Sequence, residues 1–451
     1  PTTSPTNRPV VITGLGPLCS IADSADSFWN SLCAGSSSIT PIETFDASGF
    51  SCPIAGQVTA KVRDWVPKSY RKATKVMARD TELAVIAAKI AADDAGLLTS
   101  GSTEKEIESD TGFKINPART GCQIGAGLIA ADTAEMSRAV VTATDDTGTF
   151  NTKNWGTEDT GDSGMNNLPP LWLLKYLPNM PACHVTIIHG LCGPSNTIMG
   201  AEAGALLSII ESTRVIQRNA ADLCLTGGAE SRLNPLGLLR WDYAGRLANT
   251  NGQTNPNDIL KPFDPESIGS IMGEAGGMLV VEEESHAQAR NARPYARISG
   301  FGSTQSLNPV LPIFNEKPGT TDDALARAIT IALSKANLNP EDIDAVLPLG
   351  IGQPTLDTRE ANALRDSLGQ HAQSVPIVTL TASLGNTLSA HAGIMTAAGA
   401  LMLRNQMLPA NATNLSNSGT FPQNTSTSLN HILICTSSLA GQCGALVLSK
   451  I

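Results

Sequence analysis

The chain predicts an α/β fold built twice over. Three observations carry that prediction. Short apolar runs alternate with amphipathic helical runs along the whole sequence, the apolar runs are bounded by glycines as buried strands are, and the two halves open and close alike. One half opens on ITGLG and the other on ISGFG. One closes on LCLTGGAE with GGMLVVEE, the other on ILICTSS with GALVLSK. Each half therefore reads as a βαβαβαββ unit with largely parallel, buried strands. The units join near residue 293, giving halves 1–293 and 294–451.

The elements follow in order. VVITGLG (10–16) is a buried strand closed by glycines, and DTELAVIAAKIAADDAGL (80–97) an Ala-rich helix ending at Gly96. GCQIGAG (121–127) is a strand entering a glycine turn. TDDTGTFNTKNWGTEDTGDSGMNN (144–167) is rich in Gly, Asn, Asp and Thr and reads as a polar surface insertion. GPSNTIMG (193–200) is β-like and leads into a helix over 201–219; ADLCLTGGAE (221–230) and GEAGGMLVVEEE (273–284) are strands. His184 and His189 read as strand or strand-end residues, and Cys192 as a surface or interface cysteine in the turn before Gly193. The second half repeats the pattern: strand 295–303, helix 322–338, strand 343–350, helix 357–369, helix 388–406, and strands 431–438 and 444–450.

Composition bounds the function. The 451 residues are 41% hydrophobic and 16% charged, enough to bury a large core. A net charge of −10 and only 4% aromatics argue against nucleic acid or an anionic membrane as a main partner. No apolar run reaches about 18 residues, so no membrane span is expected. The first residues lack the marks of a secretory signal, which makes cytoplasmic the expected location. The nine cysteines are scattered, with no CxxC pair and no histidine at ligand spacing. They read mostly as small buried residues in a reducing compartment, and neither metal nor cofactor is expected.

Several longer words in fixed order carry a resemblance. VVITGLG is followed by FWNSLCAGSSSITPIETFD (28–46), then AADLCLTGGAE, NPLGL (234–238) and PFDPESIGSIMGEAGG (262–277). Over nearly its whole length the chain resembles the β-ketoacyl synthases of fatty-acid and polyketide synthesis. The resemblance implies a thiolase-like fold, two duplicated halves forming a five-layered αβαβα core. It also implies a reaction. A cysteine at a helix start takes an acyl chain as thioester, two histidines help decarboxylate a malonyl unit on an acyl-carrier protein, and a lysine supports the site.

None of those four groups stands in this sequence. The resemblance places Glu202 at the nucleophile, Leu349 at the first histidine, Ala382 at the lysine and Thr387 at the second histidine; Leu439 falls in the gating segment SSLAGQCG (437–444). A carboxylate forms no persistent thioester by the cysteine route, leucine makes no hydrogen bond, and threonine is no base near neutral pH. Glu202 then reads as a helix-start carboxylate filling a disused site, as a group assisting malonyl decarboxylation, or as a polar contact at a dimer interface. His391, four residues after Thr387, is either a packed histidine or a substitute base. Without a lysine at 382, Glu274 loses any ion pair it would have made there. KSYRKATKVMARD (68–80) is basic in an acidic chain. Its Arg71, Lys72, Lys75 and Arg79 stand at helical spacing, either a solvated face or a docking site for acidic acyl-carrier protein.

The expectation is a non-condensing ketosynthase-like subunit, similar to a chain-length factor. It would form a heterodimer with an active ketosynthase in type II polyketide, polyene or fatty-acid-like synthesis and shape its partner's acyl tunnel. The alternatives are a stand-alone homodimeric acyltransferase-family enzyme, using Glu202 for malonyl-thioester decarboxylation or acid–base work, and a purely structural or carrier-binding protein.

Overall fold

A computed structural model describes residues 8–109, 111–156, 163–307, 323–410, 412–415 and 424–451. Residues 157–162 of the insertion and residue 322 of one predicted helix lie outside that set. Eleven strands make one continuous sheet among the described residues. They are β1 (Val10–Leu18), β2 (Thr120–Ala126), β3 (Ser195–Met199), β4 (Leu223–Glu230), β5 (Ala275–Glu283), β6 (Ala296–Gln305), β7 (Ala345–Leu347), β8 (Ile377–Val378), β9 (Ala412–Thr413), β10 (His431–Ser437) and β11 (Gln442–Ser449). The order is β9-β8-β7-β10-β11-β6-β1-β5-β4-β2-β3. Strands β1, β5, β4, β2 and β3 of the first half are matched in rank by β6, β11, β10, β7 and β8 of the second. The halves meet where β1 and β6 pair antiparallel, Val10 opposite Ile298 and Ile12 opposite Ala296.

The pairing corrects the expectation of largely parallel sheets. Within this sheet, among the described residues, only β2 with β3 and β4, and β7 with β8 and β10, run parallel. The pairs β1–β5, β5–β4, β6–β11, β10–β11 and β8–β9 are antiparallel. The cause is the closing strand of each half, which turns back between the half's first strand and its neighbour rather than crossing over a helix.

Six helices build the layers: α1 (Arg79–Asp94), α2 (Met180–His189), α3 (Gly204–Gln217), α4 (Asp323–Ala336), α5 (Pro354–Leu368) and α6 (His391–Asn405). Helices α1 and α2 cover the outer face of the first half's strands, and α4 with α5 that of the second. Helices α3 and α6 lie between, each touching strands of both halves. This is the five-layered thiolase-like arrangement. Helix α6 is buried along its length up to Leu403, as a helix with sheets on both sides must be. The cores match the layers: one cluster around α3 and α6, one under α1, one under α4 and α5.

Helix α2 corrects a second expectation, since it contains His184 and His189, which the sequence reading put on or beside a strand. Proline in its first turn and Gly190 in left-handed conformation (φ 68°) at its end delimit a helix whose interior Val, Thr and Ile had signalled β-structure. His184 meets the Tyr70 hydroxyl at 2.8 Å and His189 that of Thr99 at 2.8 Å. Cys192 is exposed.

Candidate functional site

Strand β3 ends at Met199, and a single 3₁₀ turn, Ala201–Ala203, leads into α3. Ala201 sits at φ 44°, a left-handed conformation costly for a residue with a Cβ. The Ser389 hydroxyl donates to its carbonyl at 2.9 Å and helps hold it there. Gly204 permits the close approach, because a Cβ at that position would lie 2.5 Å from Ser389 Oγ. The turn thereby packs on a second strained turn, 388–390, where Leu388 has φ 51°.

Glu202 is fully buried at the first of these turns, and neither carboxylate oxygen has a hydrogen-bond partner among the described residues. Burial pushes its pKa up. Its own backbone amide, the Arg246 guanidinium and the Leu439 amide oppose the rise, while Glu230 adds to it. Arg246, also buried, has its own pKa lowered to about 10 by desolvation, partly offset by Glu202. A cavity of about 40 Å³ adjoins the carboxylate, walled by Glu202, Leu349, Ile351, Asp357, Glu360 and Leu439 among others. That is space for about one or two water molecules.

The wall bearing Leu349 is held by two buried carboxylates of α5. Glu360 accepts from the amides of Leu349 and Gly350, each at 2.8 Å. Asp357 accepts from Ile351 and Gly352, each at 3.0 Å, and from Phe263 at 2.9 Å. Burial raises Glu360 to about 8 and Asp357 to about 6 against the pull of these amides.

The cavity thus brings together Glu202, Leu349 and Leu439 of the positions singled out in the sequence. Ala382 and Thr387 do not line it. Ala382 is half-buried against an apolar cluster that includes Ile39, Cys52, Ile54 and Ile271. Thr387 is buried and shares a 2.9 Å hydrogen bond with His391 Nδ1. His391 is fully buried, its Nε2 has no partner among the described residues, and burial lowers its pKa to about 4, so the ring is neutral at pH 7.

One expectation about charge is corrected, and the partner of Glu274 corrects it: no ion pair reaches Glu274 from Ala382, as expected, but another residue supplies one. Glu274 does have a cation: Arg79 Nη2 meets its Oε1 at 2.9 Å and Arg79 Nε its Oε2 at 3.1 Å. Ser231 Oγ (2.8 Å) and the Val58 amide (3.0 Å) complete its shell. Arg79 is consequently no member of an exposed docking face. The segment before it is not one helix but two 3₁₀ turns, Lys68–Tyr70 and Ala73–Val76, so the predicted helical spacing does not align the four cations. Arg71, Lys72 and Lys75 remain exposed.

Sequence reasoning passed over Arg246 and Glu230. Arg246 lies beyond the NPLGL word with no motif around it. Glu230 closes GGAE, where only its structural value was read; it pairs with Arg232 and accepts from the Ser389 amide at 3.0 Å. Among the described residues no three His, Cys, Asp or Glu side chains gather to hold a metal ion, and no helix is long and apolar enough to cross a membrane.

Comparison with known proteins gives a consistent match. The family described as "Beta-ketoacyl synthase, N-terminal domain" matches residues 7–287, and "Beta-ketoacyl synthase, C-terminal domain" residues 295–414. The tetracenomycin polyketide synthase ketoacyl synthase beta subunit of Streptomyces glaucescens is 30% identical over 404 residues, covering 89% of this chain and 87% of that protein. A 3-oxoacyl-[acyl-carrier-protein] synthase 2 of Coxiella burnetii is 29% identical over 408 residues, with the same coverages of 89% and 87%. Among solved structures, the ishigamide ketosynthase/chain length factor superposes with a TM-score of 0.77 at 22% identity, covering 99% of this chain and 100% of that one. At that identity the likeness speaks to the fold.

Proposed function

The chain belongs to the beta-ketoacyl synthase family, and from that premise we propose that it is a non-condensing subunit, similar to a chain-length factor, that pairs with an active ketosynthase and shapes its acyl tunnel. Residues 1–293 and 294–451 are its two ketosynthase-like halves in this reading. The relatives alone do not decide the matter, because a beta subunit and condensing synthases match at nearly equal identity. The observation that carries the proposal is the buried Glu202 itself. The side chain at the start of α3 is a carboxylate in a cavity of about 40 Å³, faced by Leu349 and Leu439. No histidine lines the wall among the described residues, and the thiol that does, Cys443, belongs to β11 rather than to the start of α3 and donates to the Gly441 carbonyl at 3.6 Å. The histidine on the adjoining turn, His391, is neutral and turned to Thr387. Thioester formation needs a thiolate, and stabilising the enolate oxygen needs paired donors. The start of α3 offers no thiol, and no histidine lines the wall to donate such a pair.

The fold is a reason to keep such a chain. Its two turns at Ala201 and Leu388 hold residues in left-handed conformation, at a cost of about 1–3 kcal/mol each, which the surrounding scaffold carries. A partner subunit requires the scaffold and not the chemistry. The exposed Arg71, Lys72 and Lys75 fit an acidic acyl-carrier protein as the second, transient partner, and the assembly works in the cytoplasm. Co-expression with ketosynthases that carry the cysteine and both histidines, followed by size-exclusion of the complex, tests the pairing. A heterodimer is expected, and a stable homodimer that ignores every such ketosynthase would overturn it.

One observation favours a second reading. A buried carboxylate with a raised pKa is the kind of group that assists malonyl decarboxylation. That reading predicts carbon dioxide release from malonyl thioester by the chain alone, abolished in Glu202→Gln.

A further inference from the structure

Asp80 stands in the first turn of α1, where a carboxylate ordinarily faces water and complements the helix dipole. Here it is 3% exposed, and its Oδ1 has no hydrogen-bond partner among the described residues. A buried carboxylate oxygen left unpaired is costly, so the position calls for a donor. Burial raises the carboxyl to about 7, against the opposing charge of Arg232.

Asp80 lines an open cavity of about 680 Å³ that shares no lining residue with the cavity at Glu202. That is room for a small organic molecule. Glu43, Glu82, Asp132 and Glu274 line it as well, against the cations Lys61, Arg79 and Lys175. Two of those cations are already engaged. Arg79 holds Glu274 and, at 3.1 Å, Glu82, while Lys175 pairs at 2.7 Å with Glu135, outside the lining. Lys61 is exposed. Arg232, next in the chain to the lining residue Ser231, is paired with Glu230 and donates to the Leu128 carbonyl. Of the two buried acids in the wall, Glu274 has a full shell of donors and Asp80 does not. Much of the remaining wall is hydroxyl. Ser38, Thr40, Thr44 and Thr59 line it, as does Ser20, whose buried Oγ has no partner among the described residues.

The wall selects its occupant by chemistry. A metal ion needs several ligands at once, and among the described residues no three His, Cys, Asp or Glu side chains gather to hold one. A primary ammonium needs one carboxylate and brings three N–H donors. A hydroxyl on its carbon frame finds partners in the serines and threonines. We propose that this cavity binds a small hydroxylated primary amine, its ammonium group on Asp80 and its hydroxyl on the Ser and Thr side chains of the wall.

Ethanolamine is the probe. The whole chain is titrated calorimetrically with ethanolamine hydrochloride, with sodium chloride at equal ionic strength as control. Two analogues separate the contributions: ethylene glycol replaces the ammonium by a hydroxyl, and choline keeps charge and hydroxyl but has no N–H. Ethanolamine is expected to bind with a millimolar dissociation constant, within reach of a ligand of about four heavy atoms. Both analogues are expected to bind at least about tenfold more weakly. Asp80→Asn keeps the size of the side chain and removes its charge, and is expected to weaken ethanolamine binding about tenfold or more. No saturable binding of ethanolamine in the millimolar range, equal binding of either analogue, or undiminished binding by Asp80→Asn would overturn the proposal.

Should Asp80→Asn not fold, Thr59→Trp decides. Residue 59 is exposed and lines the cavity, so an indole there takes up its space without disturbing a buried contact. Thr59→Trp is expected to weaken ethanolamine binding about tenfold or more, and undiminished binding would overturn the assignment of the cavity. Neither variant touches the cavity at Glu202, and neither titration involves a second subunit. A failure here leaves the pairing proposal standing, and a failure to pair leaves this one standing.

Discussion

Replacing Arg79 by methionine keeps an unbranched side chain of similar length and removes the guanidinium that faces Glu274. The Glu274 side chain is 7% exposed and that of Arg79 30%, so the pair is buried on the acidic side and reachable by water on the basic side. Stripping the cation from a buried pair costs about 3–5 kcal/mol, most of it the penalty of an uncompensated charge. Glu274 keeps two donors, the Val58 amide and Ser231 Oγ, and water can enter beside residue 79. The cost therefore belongs at the low end, about 3 kcal/mol. Arg79 also donates to the carbonyls of Val58 (2.5 Å) and Ala60 (3.2 Å), whose loss holds the total at that level. Urea unfolding of the intact chain reads the change as a shifted midpoint at unchanged slope. Arg79→Met/Glu274→Gln should recover most of the loss, since removing both partners leaves no bare charge. A cost below about 1 kcal/mol for Arg79→Met, as for an exposed ion pair, would refute the reasoning and return Arg79 to the surface.

Other outcomes follow from the same structure. Burial holds Glu360 at about 8 in the folded chain, above its unfolded value, so the folded state binds the extra proton and stability falls as pH rises toward 8. His391 and His189, both lowered to about 4, act oppositely, but only below their unfolded value of about 6.5. Between about pH 6.5 and 8, stability should therefore decline, with Asp80, raised to about 7, contributing to the early part; Glu360→Gln should flatten most of that slope in thermal melts. Arg71→Glu/Lys72→Glu/Lys75→Glu should weaken acyl-carrier binding and reduce its salt dependence, measured by surface plasmon resonance at two ionic strengths, while leaving the urea midpoint within about 0.5 kcal/mol of wild type. Ala201→Gly should stabilise the chain by about 1 kcal/mol, because glycine accepts the left-handed conformation that alanine is forced into.

How much of this could be read from the sequence depended on range. Glycine-bounded apolar runs placed most of the main strands within a few residues, since a buried strand announces itself locally. Helix α2 did not, because Val, Thr and Ile in MPACHVTIIH outweighed the proline and glycine that delimit it. The run of Glu202, Leu349 and Leu439 came from the resemblance of long words, and the structure places those three around one cavity. Arg79 and Glu274 are 195 positions apart, and no periodicity reports a partner at that distance. Arg246 was hidden for the same reason: a lone arginine past a helix looks like solvent-facing charge until folding buries it.

The central claim is that this chain does not form carbon–carbon bonds but supports a subunit that does. The direct measurement supplies acyl-primed and malonyl-loaded acyl-carrier protein to the purified chain, to a ketosynthase that co-purifies with it, and to the complex, and follows β-ketoacyl product by mass spectrometry. The account predicts product from the complex, none from this chain alone, and an altered product length when residues of this chain near the shared interface are changed. A β-ketoacyl product formed by this chain alone would contradict it.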